Sequence, residues 1–222
     1  MRSVSVVIPV FRDGEALART LAVVSWAGAE VIVAATAEDL PELAALMAAR
    51  HDVTWVESDR GRARQMNAGA AAARGEWLVF LHADTQLPAG WRQVIDAADG
   101  GFSFGCFRLA LDSRRLAARM VELGVRLRVW VCGLPYGDQA LFVRRDQFNA
   151  IGGYADLPIM EDVDLVRRLG ARGRLYSSSL PVVTSARKWE MHGWVRRSAR
   201  NVWLILLYFA GVSPDRLSGR SA

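Results

Sequence analysis

Along this chain, short continuous apolar runs alternate with longer stretches whose apolar residues recur every three or four positions. Residues 4–10, VSVVIPV, are β-branched and nearly all apolar, which predicts a buried strand. Residues 14–25 place Leu17 and Leu21 on one face behind a capping residue, Asp13, and predict a helix. EVIVAA at 30–35 is a second buried strand. Residues 40–50 form a helix that starts with Pro41 and turns Leu43, Leu46 and Met47 inward, and residues 53–56 form a short third strand. RARQMNAGAAAAR at 62–74 is an alanine-rich helix whose Ala68, Gly69, Ala71 and Ala72 allow close approach to a sheet, with Gly75 as its stop. WLVFL at 77–81 is apolar throughout and suits a strand buried on both faces. Strand–helix alternation of this kind predicts a mostly parallel sheet with right-handed crossovers.

Beyond Pro88 the pattern loosens. Residues 91–98 read as a helix. Residues 101–111 alternate Phe102, Phe104, Cys106 and Leu109, as in a strand exposed on one face. Residues 115–131 form a long amphipathic helix with Leu116, Met120, Leu123, Leu127 and Trp130 at spacings of three and four. A loop at 133–138, a strand at 140–143, helices at 146–151 and 162–171, and a last short strand at 181–184 follow. The stretch 193–210 is apolar and aromatic with a basic start. No repeat or linker divides the chain, so residues 1–222 are expected to form one α/β domain whose sheet becomes mixed after about residue 100.

The 222 residues, 52% hydrophobic and 23% charged, exclude a disordered chain and suffice for a substantial core. Cys106 and Cys132 show no metal-binding spacing and are read as unpaired thiols of a reducing compartment. The net charge of +5 rests almost wholly on arginine, because Lys188 is the only lysine. That balance suits anionic substrates or a membrane surface. The start of the chain does not read as a signal peptide, and no apolar run is long enough to span a bilayer. A cytoplasmic location is expected, with peripheral contact at the inner face of the membrane as an option.

Five clusters carry candidate chemistry. His82-Ala83-Asp84 falls where the strand at 77–81 leaves the sheet, the place where open α/β sheets bind ligands. One carboxylate there meets the needs of a hard divalent cation that also takes phosphate oxygens; His82 is a ligand, an orienting group or a packed residue. Glu161-Asp162-Val163-Asp164 follows an apolar segment, so its acids emerge from buried surroundings, which favour a general base; helix-dipole partners are the bland alternative. Arg60-Gly61-Arg62-Ala63-Arg64 opens a helix, where cations oppose the dipole but backbone N–H groups and guanidinium groups together suit phosphate. Gly137-Asp138-Gln139 precedes a strand and is either a plain turn or part of a site. Trp189-Glu190-Met191-His192-Gly193 supplies a further imidazole.

Taken together, VSVVIPVF, RGRARQMNAGAAAARGEWLVFLHADT, YGDQALFVRR, IGGYADLPIMEDVDLVRRL and RKWEMHG resemble a family 2 glycosyltransferase with the Rossmann-like GT-A fold. They are similar in particular to a small bacterial subgroup of arsenosugar-biosynthesis type. The resemblance implies a nucleotide-binding half at 1–100, an acceptor-side half at 101–192, and a C-terminal amphipathic helix and tail at 193–222. It implies an inverting, Mg²⁺- or Mn²⁺-dependent transfer of sugar from a nucleotide-sugar donor to a hydroxyl acceptor, with a lipid-linked acceptor among the options. Asp162 stands in the position of the catalytic base, with Glu161 supporting it. Asp84 ends the metal-binding motif, His192 is a second expected ligand, and His82 replaces the usual first Asp. Pro9, Arg60, Arg64, Asn67, Asp84, Asp138 and Gln139 are placed on the donor side. The C-terminal helix is expected to touch a membrane, dock on the domain or form a homodimer; no nucleic-acid partner is expected. One departure stands out: Ala34 occupies the position where such enzymes usually carry an Asp toward the nucleotide, with Asp39 as a nearby substitute. It supports one alternative, a non-catalytic nucleotide-sugar-binding protein of the same fold; a nucleotidyltransferase acting on a sugar phosphate is the other, though residues 9–13 are a poor version of the glycine-rich basic loop it would carry.

Overall fold

The computed structural model describes residues 2–219 except Ser25, Ala27 and Asp99. The expected end of the first helix, at Ser25, and the last three residues of the tail therefore lie outside the described residues. The first half follows the apolar pattern closely. β1 (Val4–Val10), β2 (Glu30–Ala35), β3 (Val53–Glu57) and β4 (Trp77–Phe80) pair in parallel in the order β3-β2-β1-β4. Side-chain alternation along β1 and β4 sends Val6, Ile8, Trp77 and Val79 to one face, where α1 (Gly14–Val23), α2 (Leu40–Ala49) and α4 (Trp91–Ala98) cover them. Val7, Leu78 and Phe80 point to the other face, under α3 (Arg62–Ala72) and the later helices α6 (Arg145–Ala150) and α7 (Glu161–Gly170). The small residues of α3 do what their size permits: a Cβ on Gly69 would overlap Val7 Cγ1, so only glycine lets the helix lie this close to β1.

The second half is mixed. β7 (Leu141–Arg144) runs antiparallel to β4, β6 (Phe104–Leu111) antiparallel to β7, β8 (Leu175–Thr184) parallel to β6, and a two-residue strand, β5 (Thr85–Gln86), antiparallel to β8. β5 thus sits at the far edge from β3, although only residues 81–84 separate it from β4. Four strand spacings on a flat sheet measure about 19 Å, close to the limit of those residues fully extended. They are not extended, since the Thr85 N–H donates to the His82 carbonyl at 3.0 Å. The sheet must therefore curl until its far edge returns to the His82–Asp84 turn.

Two expectations change, and one apolar stripe whose partner surface the sequence left open is found exposed. β6 is buried on both faces over its first four residues rather than exposed on one, because β7 and β8 flank it and aromatic side chains cover it. The last strand begins six residues earlier than expected; its serines, Ser177 to Ser179, carry no apolar signal, and Ser177 pairs with Cys106 of β6 before a shift of register after which pairing resumes at Pro181. The apolar stripe of α5 (Leu116–Cys132) does not face the core. Ala118 and Val129 pack inward, while Leu116, Met120, Leu123, Leu127 and Trp130 are exposed. The chain closes with α8 (Arg187–His192), α9 (Trp194–Phe209) and α10 (Pro214–Ser218), and α9 contacts both α5 and α8.

Candidate functional site

A cleft of about 460 Å³ opens at the carboxyl ends of β1 and β4 and is lined by Pro9, Phe11, Asp13, Arg60, Arg62, Gln65, His82, Asp84, Glu161 and Lys188. Its floor is the turn after β4. The Leu81 N–H continues the ladder to the Val7 carbonyl, Thr20 Oγ1 donates to the Ala83 carbonyl at 2.7 Å, and the Ser185 N–H donates to the Asp84 carbonyl. The turn is thus held from α1, β1 and the end of β8 at once, which leaves the side chains of His82 and Asp84 to face the cleft. Burial keeps the His82 imidazole neutral, well below the ordinary histidine value, and Arg62 and Lys188 reinforce this. Its Nε2 has no hydrogen-bond partner among the described residues.

The acids of α7 enter from the opposite side. Met160, which precedes them, has φ 67°, a left-handed conformation that a side-chain-bearing residue rarely adopts. Arg12, next to Phe11 and Asp13 of the cleft, and Ala140, buried directly after Gln139, share that property. Glu161 is buried, its side chain 3% exposed, and accepts a 2.8 Å hydrogen bond from Arg62 Nη1. Burial pushes the Glu161 carboxyl up and Arg62 draws it back. Asp162 Oδ1 accepts from the Val163 N–H and Oδ2 from the Gly137 N–H, both at 2.8 Å. Gly137 joins the two sides of the site, because a Cβ there would stand 2.9 Å from His82 Nε2 and 3.5 Å from Asp162 Oδ2. The β4 turn and the α7 acids therefore meet over one glycine.

Asp138 and Gln139 follow. Burial pushes the Asp138 carboxyl up to about 6; Arg128 opposes this, while Asp162 and Asp84 add to it. Asp138 Oδ1 has no hydrogen-bond partner among the described residues. Gln139 is an anchor rather than a cleft-lining group: its Nε2 donates to the Phe107 carbonyl, and its Oε1 accepts from Tyr136 N–H and Arg128.

The other expected residues divide. Pro9 and Arg60 line the cleft, and Arg60 lies over the Phe11 ring at 4.6 Å. Arg64 instead forms a two-pronged ion pair with Asp156 at the surface. Asn67 exchanges two hydrogen bonds with the Tyr154 backbone and so pins the Gly152–Tyr154 turn. His192 is exposed at the end of α8 and does not line the cleft. Asp39 cannot stand in for the missing Asp at 34, since its carboxylate accepts from the Arg12 N–H and Thr36 Oγ1. The ends of β1 and β2 are bridged instead by Gln65, whose Nε2 donates to the Val10 and Ala34 carbonyls. Phe11, Asp13 and Lys188 were not expected as site residues. They are distant in sequence, and Arg187 of α8 pairs with Asp13 to close that wall. Basic residues preceding the WEMHG stretch were the available signal.

Among the described residues, no three His, Cys, Asp or Glu side chains converge as a metal cage. A Mg²⁺ or Mn²⁺ ion held by one or two carboxylates and substrate phosphates needs no such cage. Among the described residues, Asp84 opens to the cleft with only a 3.5 Å side-chain contact from its neighbour Thr85, and the Asp138 oxygen without a partner adds charge nearby. The donor set fits a hard cation shared with a diphosphate.

Comparisons with known proteins agree with this architecture. Two structures of Staphylococcus aureus TarS 1-349, one in complex with UDP-GlcNAc and one with UDP, match at a TM-score of 0.60, with 13% and 14% identity. Both cover 82% of this chain, and respectively 58% and 60% of TarS 1-349. A longer TarS structure matches at 0.59 and 11% identity over 97% of this chain and 41% of its own. The chain thus spans about three fifths of the TarS 1-349 fragment, and the likeness shows a shared GT-A fold. No curated protein sequence matches. The model of the family described as "Glycosyl transferase family 2" matches residues 5–119, just over half the chain, and the protein belongs to that family.

Proposed function

We propose that this chain transfers a sugar from a nucleotide-sugar donor to a hydroxyl acceptor, with inversion at the anomeric carbon. The observation that carries the proposal is the meeting of His82 and Asp162 over Gly137, with Asp84 on the same turn as His82 and the Arg62–Glu161 pair in the same cleft. TarS is bound to UDP-GlcNAc and to UDP in the matched structures, so uridine diphosphate sugars are the first donor class to test. Phe11, with the Arg12 and Arg60 guanidinium groups over its ring, brings apolar surface and cations together in the cleft, suited to a base and its phosphates. Arg62 and Lys188 oppose the charge that develops on the departing diphosphate. Bound by Asp84 and phosphate oxygens, Mg²⁺ or Mn²⁺ would neutralise part of the same charge.

Asp162 is the proposed base. Two backbone N–H groups orient its carboxylate and leave further lone pairs for an acceptor hydroxyl. As the acceptor oxygen bonds to the anomeric carbon, its proton passes to Asp162 and the bond to the diphosphate oxygen breaks. One displacement inverts the configuration. The two adjacent acids are not a hydrolytic pair, because Glu161 is engaged with Arg62.

The test is a thermal-shift series with uridine, guanosine and thymidine diphosphate sugars, with and without Mn²⁺, followed by transfer assays on Asp162→Asn. Stabilisation by one donor class and a fall of roughly 10²–10⁴-fold in turnover with donor binding retained support the proposal. Full turnover in Asp162→Asn, or no response to any nucleotide sugar, refutes it.

A further inference from the structure

The apolar stripe of α5 remains to be explained. Leu116, Met120, Leu123, Leu127 and Trp130 recur at alternating steps of four and three, yet all are exposed, Leu116 by 82% and Trp130 by 80%. Five large apolar side chains in one line exceed the scattered exposure usual on a protein surface. The stripe borders an open groove of about 820 Å³ between α5 and the strands β6 and β8. Beside it, α9 exposes Val202, Trp203 and Leu206, and the two helices are in contact.

The charge around this face identifies its occupant. Arg114, Arg115, Arg119 and Arg126 are exposed along α5 or at its start. The single acid within the helix, Glu122, is tied to the Leu111 N–H and to Arg119. α9 contains no acid; of its arginines Arg196 is exposed, whereas Arg197 is half-buried over the Trp189 ring, toward Asp138 and Asp84, and Arg200 is half-buried as well. Among the described residues, no hydrogen bond or ion pair engages the side chain of Arg114, Arg126 or Arg196. A second copy docked by two-fold symmetry would bring these arginine-rich faces together, and like charges resist that contact. An anionic lipid surface offers the complement: phosphates for the guanidinium groups and an acyl boundary for the leucines and tryptophans.

We propose that the exposed face of α5, with the neighbouring face of α9, docks on an anionic lipid bilayer surface. The helices lie in the interfacial plane, since no helix among the described residues is long and apolar enough to cross a membrane. α5 leads directly into the Gly137–Gln139 segment, so docking sets the Asp138 and Asp162 side of the cleft near the bilayer. The docking itself stands independently of the transferase proposal; only a lipid-borne acceptor would rest on both.

The experiment uses the full chain. Cys132 is exposed at the end of α5, off the line of the stripe, and Cys106 is buried, so a fluorescent thiol dye tracks the protein without covering the stripe. Flotation with vesicles of phosphatidylcholine containing about one third phosphatidylglycerol should carry the labelled protein upward and reverse in high salt. Vesicles of phosphatidylcholine alone should bind it much less. Leu123→Glu with Leu127→Glu should lower partitioning roughly tenfold or more without changing Tm, because both side chains are already exposed. Failure to bind the anionic vesicles, or equal binding by the double variant, overturns the proposal. So does a dimer in light scattering that the double variant separates, which would assign the face to a second copy. None of these readouts depends on sugar transfer.

Discussion

The Arg62–Glu161 pair makes a prediction whose asymmetry can be worked from burial. Arg62 is half exposed to the cleft, whereas the Glu161 side chain is 3% exposed. Removing one partner of a fully buried pair costs about 3–5 kcal/mol, because the other charge is stranded. Glu161→Gln strands an arginine that water can still reach, so screening reduces its cost to about 1–2 kcal/mol. Arg62→Met strands a carboxylate that water cannot reach, and its cost lies near the full about 3–5 kcal/mol. At roughly 2–4 °C per kcal/mol for a chain of this size, Arg62→Met should lower Tm by roughly 6–20 °C and Glu161→Gln by roughly 2–8 °C. The double variant should cost less than the two single costs added. Protonation gives a second handle. Burial already raises the Glu161 carboxyl, and loss of Arg62 raises it further. A carboxyl whose folded pKa exceeds its unfolded value loses stability as pH rises from the unfolded value toward the folded one. The Arg62→Met deficit should therefore be small near pH 4.5 and wide at pH 7.5. Thermal melts of wild type, both single variants and the double variant at these two pH values suffice. A Glu161→Gln deficit equal to or larger than that of Arg62→Met, or one for Arg62→Met that ignores pH, would refute the reasoning.

Three further outcomes follow from the same geometry. Asp138→Asn should stabilise the protein above pH 6, by an amount on the order of 2–3 kcal/mol, and leave it unchanged below pH 4. The folded carboxyl, pushed up to about 6, weakens the wild type across that interval, and melts at the two ends check it. Asn67→Ala should cost about 1–3 kcal/mol in a urea titration, because it removes both hydrogen bonds to the Tyr154 backbone. Gly137→Ala should displace His82 and loosen the Asp162 contact. Transfer activity should then fall far more than stability, as measured by turnover beside a melt.

The strands and helices of the first half were legible because each apolar run is shorter than a helix and each amphipathic stretch has a helical period. The β4 turn and the α7 acids were legible as candidates for a simpler reason. Polar groups that directly follow or precede buried apolar runs have few structural explanations, and His82, Asp84, Glu161 and Asp162 all meet that description. Arg64 and Asn67 carried the same local signal as Arg62, three side chains within six residues of one helix. Nothing local says that the first pairs with Asp156, the second with Tyr154 and the third with Glu161. Those partners lie about ninety residues away, and helix phase alone sorts them.

The linear pattern of apolar and polar residues was thus sufficient for the parallel half of the sheet, its flanking helices and the two acidic ends that face each other. Pairing across the curled sheet settled the rest. The stretch Leu175–Ser177 became strand only because β6 was there to pair with it. Lys188 and Asp13 became neighbours of Asp84 only when α8 folded over β1. The α5 stripe, whose period promises a core face, points to solvent because the sheet needs only the Ala118 and Val129 side of that helix. Periodicity states that a helix has an apolar face; which surface meets that face is a property of the folded chain.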